Sequence, residues 1–359
     1  MIYHSKPTVG SEELEAINEV IKSGQLANGK YSIELAGMIS SQFGGGYAVM
    51  TSSGTTALQL ALRSILSENL PSEIWNRGIL KKPVDIIIPA YVCAAVLHGV
   101  NGIGANPVLA DVDPNTGNID PESVKSSITP NTKAIIAAHM FGFPADIEKL
   151  KEFNIPIIED CAQAITANIN NKQVGTMGDI AIGSTYATKL ICTGHGGFVH
   201  SKDRNLIDKI NDWLEYDKRD SYDHCYSASM SDLEASMGIV QFNKLSKFIE
   251  RRREIALQYN NEFKDLFILP SEDKIKSDWF RYVIKNTSEA DEVMDKLNNM
   301  KIEVKRPVYK PLPKLLGLNP DLYPNTMKFW DESISLPIYP GLTDEEQKKV
   351  ISVIKEVIK

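Results

Sequence analysis

The stretch GDIAIGSTYATKLICTGHGGFV (178–199) decides how this chain is read. It opens as a short apolar run that fits a buried strand, passes through small polar residues, places one lysine, Lys189, and closes on glycines. Gly194, Gly196 and Gly197 allow the backbone to turn tightly and to approach a ligand closely. An amine in a partly desolvated pocket loses its proton more easily and becomes nucleophilic, which makes Lys189 a candidate for covalent chemistry. The bland alternative is a solvated lysine, the usual state of that residue. Ser184, on the apolar side of the lysine, offers a hydroxyl to an anion.

Working outward, similar short runs recur: YAVMT (47–51), DIIIP (85–89), PVLADV (107–112), KAIIAAH (133–139), IPIIED (155–160), DIAIGS (179–184) and GGFVHS (196–201). Most are bounded by Pro, Gly, Asp or Asn, and segments with helical spacing, such as 56–66 and 145–153, separate several of them. This alternation predicts an α/β fold, a mostly parallel sheet flanked by helices. Ser11 reads as the cap of a first helix with Glu12 and Glu13 in its opening turn and Gly24 as its stop. The pattern changes near residue 230, where Ser231 and Glu234 form a capping box that starts a long helix. FRYVIK (280–285), a helix from about Ser288 to Asn299, IEVKRP (302–307) and a last helix opened by Thr343 and Glu346 predict a compact αβ unit. The expected division is a large domain over 1–240 and a smaller one over 241–359 that includes the linking helix.

At 359 residues, 43% hydrophobic and 24% charged, the composition is that of a globular chain. A net charge of −7 leaves no basic surplus to displace phosphate counterions, which argues against a nucleic-acid binder. The most apolar window, 86–100, is too short to span a membrane and is interrupted by Pro89 and His98. Four cysteines without CxxC or disulfide spacing fit a reducing cytoplasm. Cys192 and His195 are spaced like two metal ligands, but no second pair follows, so no metal is expected.

Two further constellations stand at strand ends, where open α/β sheets bind ligands. TSSGTTALQLAL (51–62) runs from a strand into a helix start, where free N–H groups, Gly54 and the Thr55 hydroxyl can receive a phosphate; an ordinary helix cap is the alternative. In IPIIEDCAQA (155–164), Asp160 ends an apolar strand and needs a partner or solvent. A protonated pyridine nitrogen, as in pyridoxal phosphate (PLP), is such a partner, and Gln163 is spaced to face the same ligand. His139 and the ERRRE run (250–254) read as structural, the first hydrogen-bonded and the second a solvated helix face. Trp279, Phe280 and Tyr282 read as packing.

Taken in order along the chain, SGTTAL (53–58), EDCAQA (159–164) and STYATKLICTGHGGFV (184–199) resemble the three cofactor motifs of the sugar-nucleotide aminotransferases of the DegT/StrS family, which are fold type I PLP enzymes. KPTVGSEELEAINEVIKSGQLANGK (6–30), MSDLEASMGIVQFNKLSKFIERRREIALQY (230–259) and SISLPIYPGLTDEEQKKVISVI (333–354) extend the resemblance over nearly the whole chain. It implies that Lys189 binds PLP covalently and later shuttles a proton, that Asp160 pairs with the pyridine nitrogen, and that Gln163 lies near the ring oxygen. Gly54, Thr55 and Ser184 hold the phosphate on this reading. It also implies a homodimer with shared sites, L-glutamate as amino donor and a nucleotide-linked keto sugar as acceptor.

The chain departs from that pattern in several places. Cys93 stands where many members stack an aromatic ring on the cofactor, with Tyr91 nearby. Ser227 and Ser229 replace an Asn and an Arg, one of which commonly reaches across the dimer to the phosphate. His195 replaces an acidic residue, and Tyr309-Lys310-Pro311-Leu312-Pro313 replaces a Y-x-P-L-H sequence. Two other functions are consistent with the fold. A sugar dehydratase is disfavoured because family dehydratases have histidine at the position of Lys189, and a non-catalytic PLP-binding sensor would lack amino transfer. A nicotinamide dehydrogenase is a poor fit, since no GxGxxG follows the first strand.

Overall fold

The computed structural model describes every residue except 77, 218, 221, 268–273, 286, 288 and 359. Seven strands form the main sheet: β1 Tyr47–Thr51, β2 Asp85–Pro89, β3 Asn106–Ala110, β4 Thr132–Ala138, β5 Ile157–Asp160, β6 Ile180–Ser184 and β7 Gly197–Ser201. Each coincides with one of the apolar runs, shifted by no more than two residues at either end. Their order across the sheet is β1-β7-β6-β5-β4-β2-β3. All neighbouring pairs are parallel except those of β7, which is antiparallel to both β1 and β6. That exception follows from the connection. No crossover helix separates β6 from β7, so the chain must return beside itself.

Helices cover the sheet: α1 Ser11–Ser23, α2 Lys30–Gln42, α3 Gly54–Asn69, α4 Ala94–Gly102, α5 Arg204–Leu214 and the long α6 Asp232–Phe263. The expected 145–153 helix is a single short turn, Ile147–Lys151, capped by Asp146. In α1 the cap is Gly10 rather than Ser11. Extended backbone at Gly10 lets its N–H donate to Glu13 Oε2 at 2.8 Å, which puts Ser11 in the first turn. The Ser231–Glu234 and Thr343–Glu346 capping boxes form as expected.

Residue 240, the expected domain edge, falls inside α6. Beyond α6, β8 Tyr282–Ile284 pairs antiparallel with β9 Ile334–Leu336, alongside α7 Ala290–Asn299 and α8 Asp344–Val357. The expected start of α7 at Ser288 lies outside the described residues. IEVKRP makes no strand of its own but bridges at two points, Ile302 to Ile2 and Lys305 to Ser335. The N-terminal segment is thereby stitched to the C-terminal unit, and its His4 reaches the site described next.

Candidate active site

The carboxyl ends of β1, β5 and β6 open on one edge of the sheet, and a pocket of about 680 Å³ lies there. Lys189 is placed by the β6–β7 loop. Thr185 N–H donates to Gly196 O at 2.9 Å and Ala187 N–H to Gly194 O at 3.0 Å, so the loop starts and ends as a continuation of the ladder. Lys189 N–H then closes a turn onto Tyr186 O at 2.8 Å. The ammonium stands 5.1 Å from the centroid of the Phe280 ring. Burial holds the pKa of Lys189 below that of a free lysine, opposed by the negative charge of Asp160.

The N-terminus of α3 forms the second wall. Ser53 caps it by accepting from Thr56 N–H at 3.1 Å, which leaves the N–H groups of Gly54 and Thr55 directed outward. The helix start is packed hard against the end of β6: a Cβ on Gly54 would lie 2.9 Å from Ser184 Cβ. Only glycine permits this approach, which brings the Ser184 hydroxyl beside the helix N-terminus.

Asp160 forms the floor. One oxygen accepts from Ala162 N–H at 2.9 Å, and burial raises the carboxyl's pKa, an environment that favours a cationic partner. Gln163 Oε1 accepts from Phe141 N–H at 2.9 Å, so its amide nitrogen is oriented by the backbone. Behind Asp160 lies a structural pair absent from the sequence reading. Fully buried Glu159 accepts from Gly175 N–H (2.8 Å), Met177 N–H (2.8 Å), Gly178 N–H (2.5 Å) and His139 Nε2 (3.1 Å). Because His139 Nδ1 accepts from Ala145 N–H at 3.0 Å, its proton is on Nε2 and donates to Glu159. His139 is thus hydrogen-bonded framework, as its sequence context implied.

The structure brings Lys189, Asp160, Gln163, Gly54, Thr55, Ser184 and Cys93 to one pocket. Cys93 is exposed there, at the start of α4. His195 also lines it, its ring 5.3 Å from that of Tyr186. Ser227 is not brought in. It is exposed, on a segment tied to the end of β1 through Ser52 N–H to Ala228 O (2.7 Å) and a bridge between Thr51 and Ser229.

Two sequence readings need correction. Phe280 is not packing alone, since its ring lines the pocket beside Lys189 while Trp279 and Tyr282 stay in the core. The ERRRE run is a solvated face only in part, with Glu250 and Glu254 exposed and Arg252 turned inward. Arg252 is buried and donates to the carbonyls of Trp279 (3.2 Å), Phe280 (3.3 Å) and Ile338 (3.0 Å), because α6 crosses beneath the C-terminal unit there. Arg281 also lines the pocket and was not singled out, and Tyr309 and Lys310, read in the sequence only as part of a departure from the family pattern, line it too. They lie about a hundred residues beyond the lysine, and no local pattern marks them.

A parallel sheet with one reversed strand, a lysine on the reversing loop, a strand-end acid and a helix N-terminus together define the class of fold type I enzymes. The chain belongs to the DegT/DnrJ/EryC1/StrS aminotransferase family, which it matches over residues 7–355, and it is a PLP-dependent aminotransferase. It is 30% identical over 375 residues to GDP-perosamine synthase from Vibrio cholerae, covering 99% of this chain and 98% of that one. Its fold is similar to that of the aminotransferase TlmJ from Streptoalloteichus hindustanus, with a TM-score of 0.90, 25% identity and coverage of 99% and 98% of the two chains. Spr1654 from Streptococcus pneumoniae, described as a candidate sugar aminotransferase and solved in its PMP form, superposes with a TM-score of 0.88 at 25% identity, covering 99% of each chain.

Proposed function

We propose that the chain transfers an amino group from L-glutamate to a keto sugar carried on a nucleotide. The observation that carries this reading is the convergence of Lys189, Asp160 and the α3 N-terminus on one pocket of about 680 Å³, which Tyr186, His195, Tyr309, Lys310 and Leu315 also line and which has room for a second, larger molecule. The name of the Vibrio cholerae relative supports a sugar bound to a nucleotide.

PLP suits these donors on chemical grounds. It presents an aldehyde to an amine, a ring nitrogen to a carboxylate and a phosphate to a helix N-terminus. When bound it supplies an electron sink and stores the amino group between the two halves of the reaction. Lys189 would hold it, and once displaced by the incoming amine would move a proton to and from the substrate carbon, a role favoured by an amine whose pKa burial has lowered. Asp160 would keep the ring nitrogen protonated. The Gly54 and Thr55 N–H groups, the Thr55 hydroxyl and Ser184 would fix the phosphate, and Gln163, whose amide nitrogen also donates to Met140 Sδ at 3.9 Å, would orient the ring from its side-chain amide. Cys93 would lie against the ring face.

The reading includes a homodimer in which Ser227, exposed and outside its own chain's pocket, reaches the neighbouring site. Its exposure supports that placement. Cytoplasmic residence suits four unbridged thiols. Among the described residues no helix is long and apolar enough to cross a membrane.

Visible absorbance of the protein with PLP, before and after L-glutamate, tests the first half of the reaction. Wild type should form a yellow band that glutamate bleaches, and Lys189→Ala should not. Restoration of the band by a nucleotide-linked keto sugar, with the aminated sugar found by mass, tests the second half. A band indifferent to glutamate and other amino acids would overturn the reading.

A further inference from the structure

Arg281 is a half-buried arginine on the pocket wall with no carboxylate paired to it among the described residues. Among the described residues its side chain donates from one guanidinium nitrogen to His4 Nδ1 at 3.2 Å and lies 4.6 Å over the Phe280 ring. Neither neutralises it. A guanidinium only donates, so His4 Nδ1 is the acceptor and the His4 proton is on Nε2, 2.9 Å from Ser335 Oγ. Burial foremost, with the charges of Arg281 and Lys305, holds the His4 pKa well below the usual histidine value, so the ring props the guanidinium without cancelling its charge.

The backbone around Arg281 is fixed from two sides. Its own N–H donates to Phe141 O at 3.2 Å, and the preceding carbonyl of Phe280 accepts from Arg252 at 3.3 Å. Burying a cation is costly unless an anion joins it, so a cation kept this way on a pocket wall is organised for a ligand.

The Phe280 ring carries Lys189 and Arg281 together, the lysine nitrogen 5.1 Å and the guanidinium carbon 4.6 Å from its centroid. The Arg281 charge is felt at Lys189, where it adds to burial in lowering the lysine pKa. An anion bound by Arg281 therefore sits close to the atom that the incoming amine replaces. In an α-amino acid the carboxylate is attached to the carbon bearing that amine. In a sugar nucleotide the width of a sugar ring separates the reacting carbon from the phosphates, which places them toward the mouth, where Tyr309 and Lys310 lie.

We propose that Arg281, held by His4 and the Phe280 ring, binds the α-carboxylate of the amino donor. This rests on the proposed amino-acid half-reaction. The guanidinium offers two parallel N–H bonds to a carboxylate, which fixes the donor's orientation as well as its affinity.

The test uses the PLP-loaded full chain, titrated spectroscopically with 2-methyl-L-glutamate and 2-aminoisobutyrate. Both lack the α-hydrogen and so report binding without transfer, and the second has no side-chain carboxylate. UDP and GDP, titrated by calorimetry, probe phosphate binding. Arg281→Gln should raise both amino-acid dissociation constants by about 10- to 100-fold, the range for a lost charge-assisted pair, and leave UDP and GDP binding, the cofactor band and the thermal midpoint unchanged. Arg281→Lys should show an intermediate loss, and it decides the matter if Arg281→Gln does not fold. Amino-acid constants within twofold of wild type in the folded variants would overturn the proposal, as would a loss confined to UDP or GDP. If the wild type holds PLP but responds to no amino acid, the half-reaction itself fails and the assignment of Arg281 falls with it. A wild-type response unchanged in the variants overturns the assignment alone.

Discussion

The α-carbon of Gly54 faces the side chain of Ser184 so closely that a Cβ on the glycine would come within 2.9 Å of Ser184 Cβ and 3.3 Å of its hydroxyl oxygen. The contact joins two residues 130 positions apart and sets the spacing of the proposed phosphate cradle. Gly54→Ala must push the helix start off the strand end. The expected result is a loss of about 1–3 kcal/mol in urea unfolding, the usual cost of overpacking, with a larger proportional effect on PLP affinity. Equilibrium dialysis against PLP measures the latter. Equal affinity in wild type and variant would remove Ser184 and the α3 N-terminus from the phosphate site.

A lysine whose pKa is lowered by burial is unprotonated at a lower pH than an exposed one, for which the ordinary value is 10.5. Capture of PLP by the apoprotein should therefore rise with pH and level off below 10.5. Asp160 works against burial by favouring the charged amine, so Asp160→Asn should move the midpoint lower still. Stopped-flow absorbance across pH reads both. A midpoint at the value of a free lysine would contradict the burial of the amine.

The strands of this fold could be read because each is a short apolar run bounded by breakers, and YAVMT and DIIIP became β1 and β2 without a shift. The cofactor-facing residues were also readable, since Lys189, Asp160 and Gly54 each sit where a strand ends or a helix begins. What stayed hidden depends on tertiary approach. Phe280 and Arg281 look like the start of an ordinary small-domain strand, and Arg252 sits in a run whose composition is that of a solvated face. Helix periodicity cannot show that another unit lies on top of it. Glu159, adjacent to Asp160, points to the opposite face of the same strand, so its three backbone donors come from a loop that the local pattern does not reveal.

Two buried groups give the fold separate sensitivities to acid. His4 has a depressed pKa in the folded chain, so the unfolded chain binds its proton first, and stability is lost as pH falls from about the ordinary value of 6.5 toward the folded one. Burial acts to raise the Glu159 pKa, but His139 and the backbone N–H groups outweigh it, leaving the net value lowered. Its contribution is present above the ordinary 4.5 and is lost as pH falls through the depressed value. Urea midpoints measured against pH should therefore decline in two stages. His4→Gln should flatten the upper stage, and Glu159→Gln should flatten the lower one at a cost of about 2–4 kcal/mol at neutral pH, because a carboxamide cannot accept from all its donors. A single decline confined below pH 4.5 would show that His4 is not the upper group.

Arg252 tests whether the pocket's far wall is held from below. Its buried guanidinium donates to the carbonyls of Trp279, Phe280 and Ile338, and burial lowers its pKa to about 9. Arg252→Met keeps most of the stem's packing and removes the bonds. Losing charge-assisted bonds to three carbonyls destabilises, while no longer burying a cation offsets part of that, so the net loss should be about 2–3 kcal/mol. The carbonyl of Phe280 would then be free to move, and with it the ring that carries Lys189 and the guanidinium of Arg281. Half-saturation by L-glutamate should rise several-fold in a variant that still binds PLP. If stability falls while glutamate response stays at the wild-type level, Arg252 serves the fold alone and the wall is held by β8 and the Phe141 carbonyl.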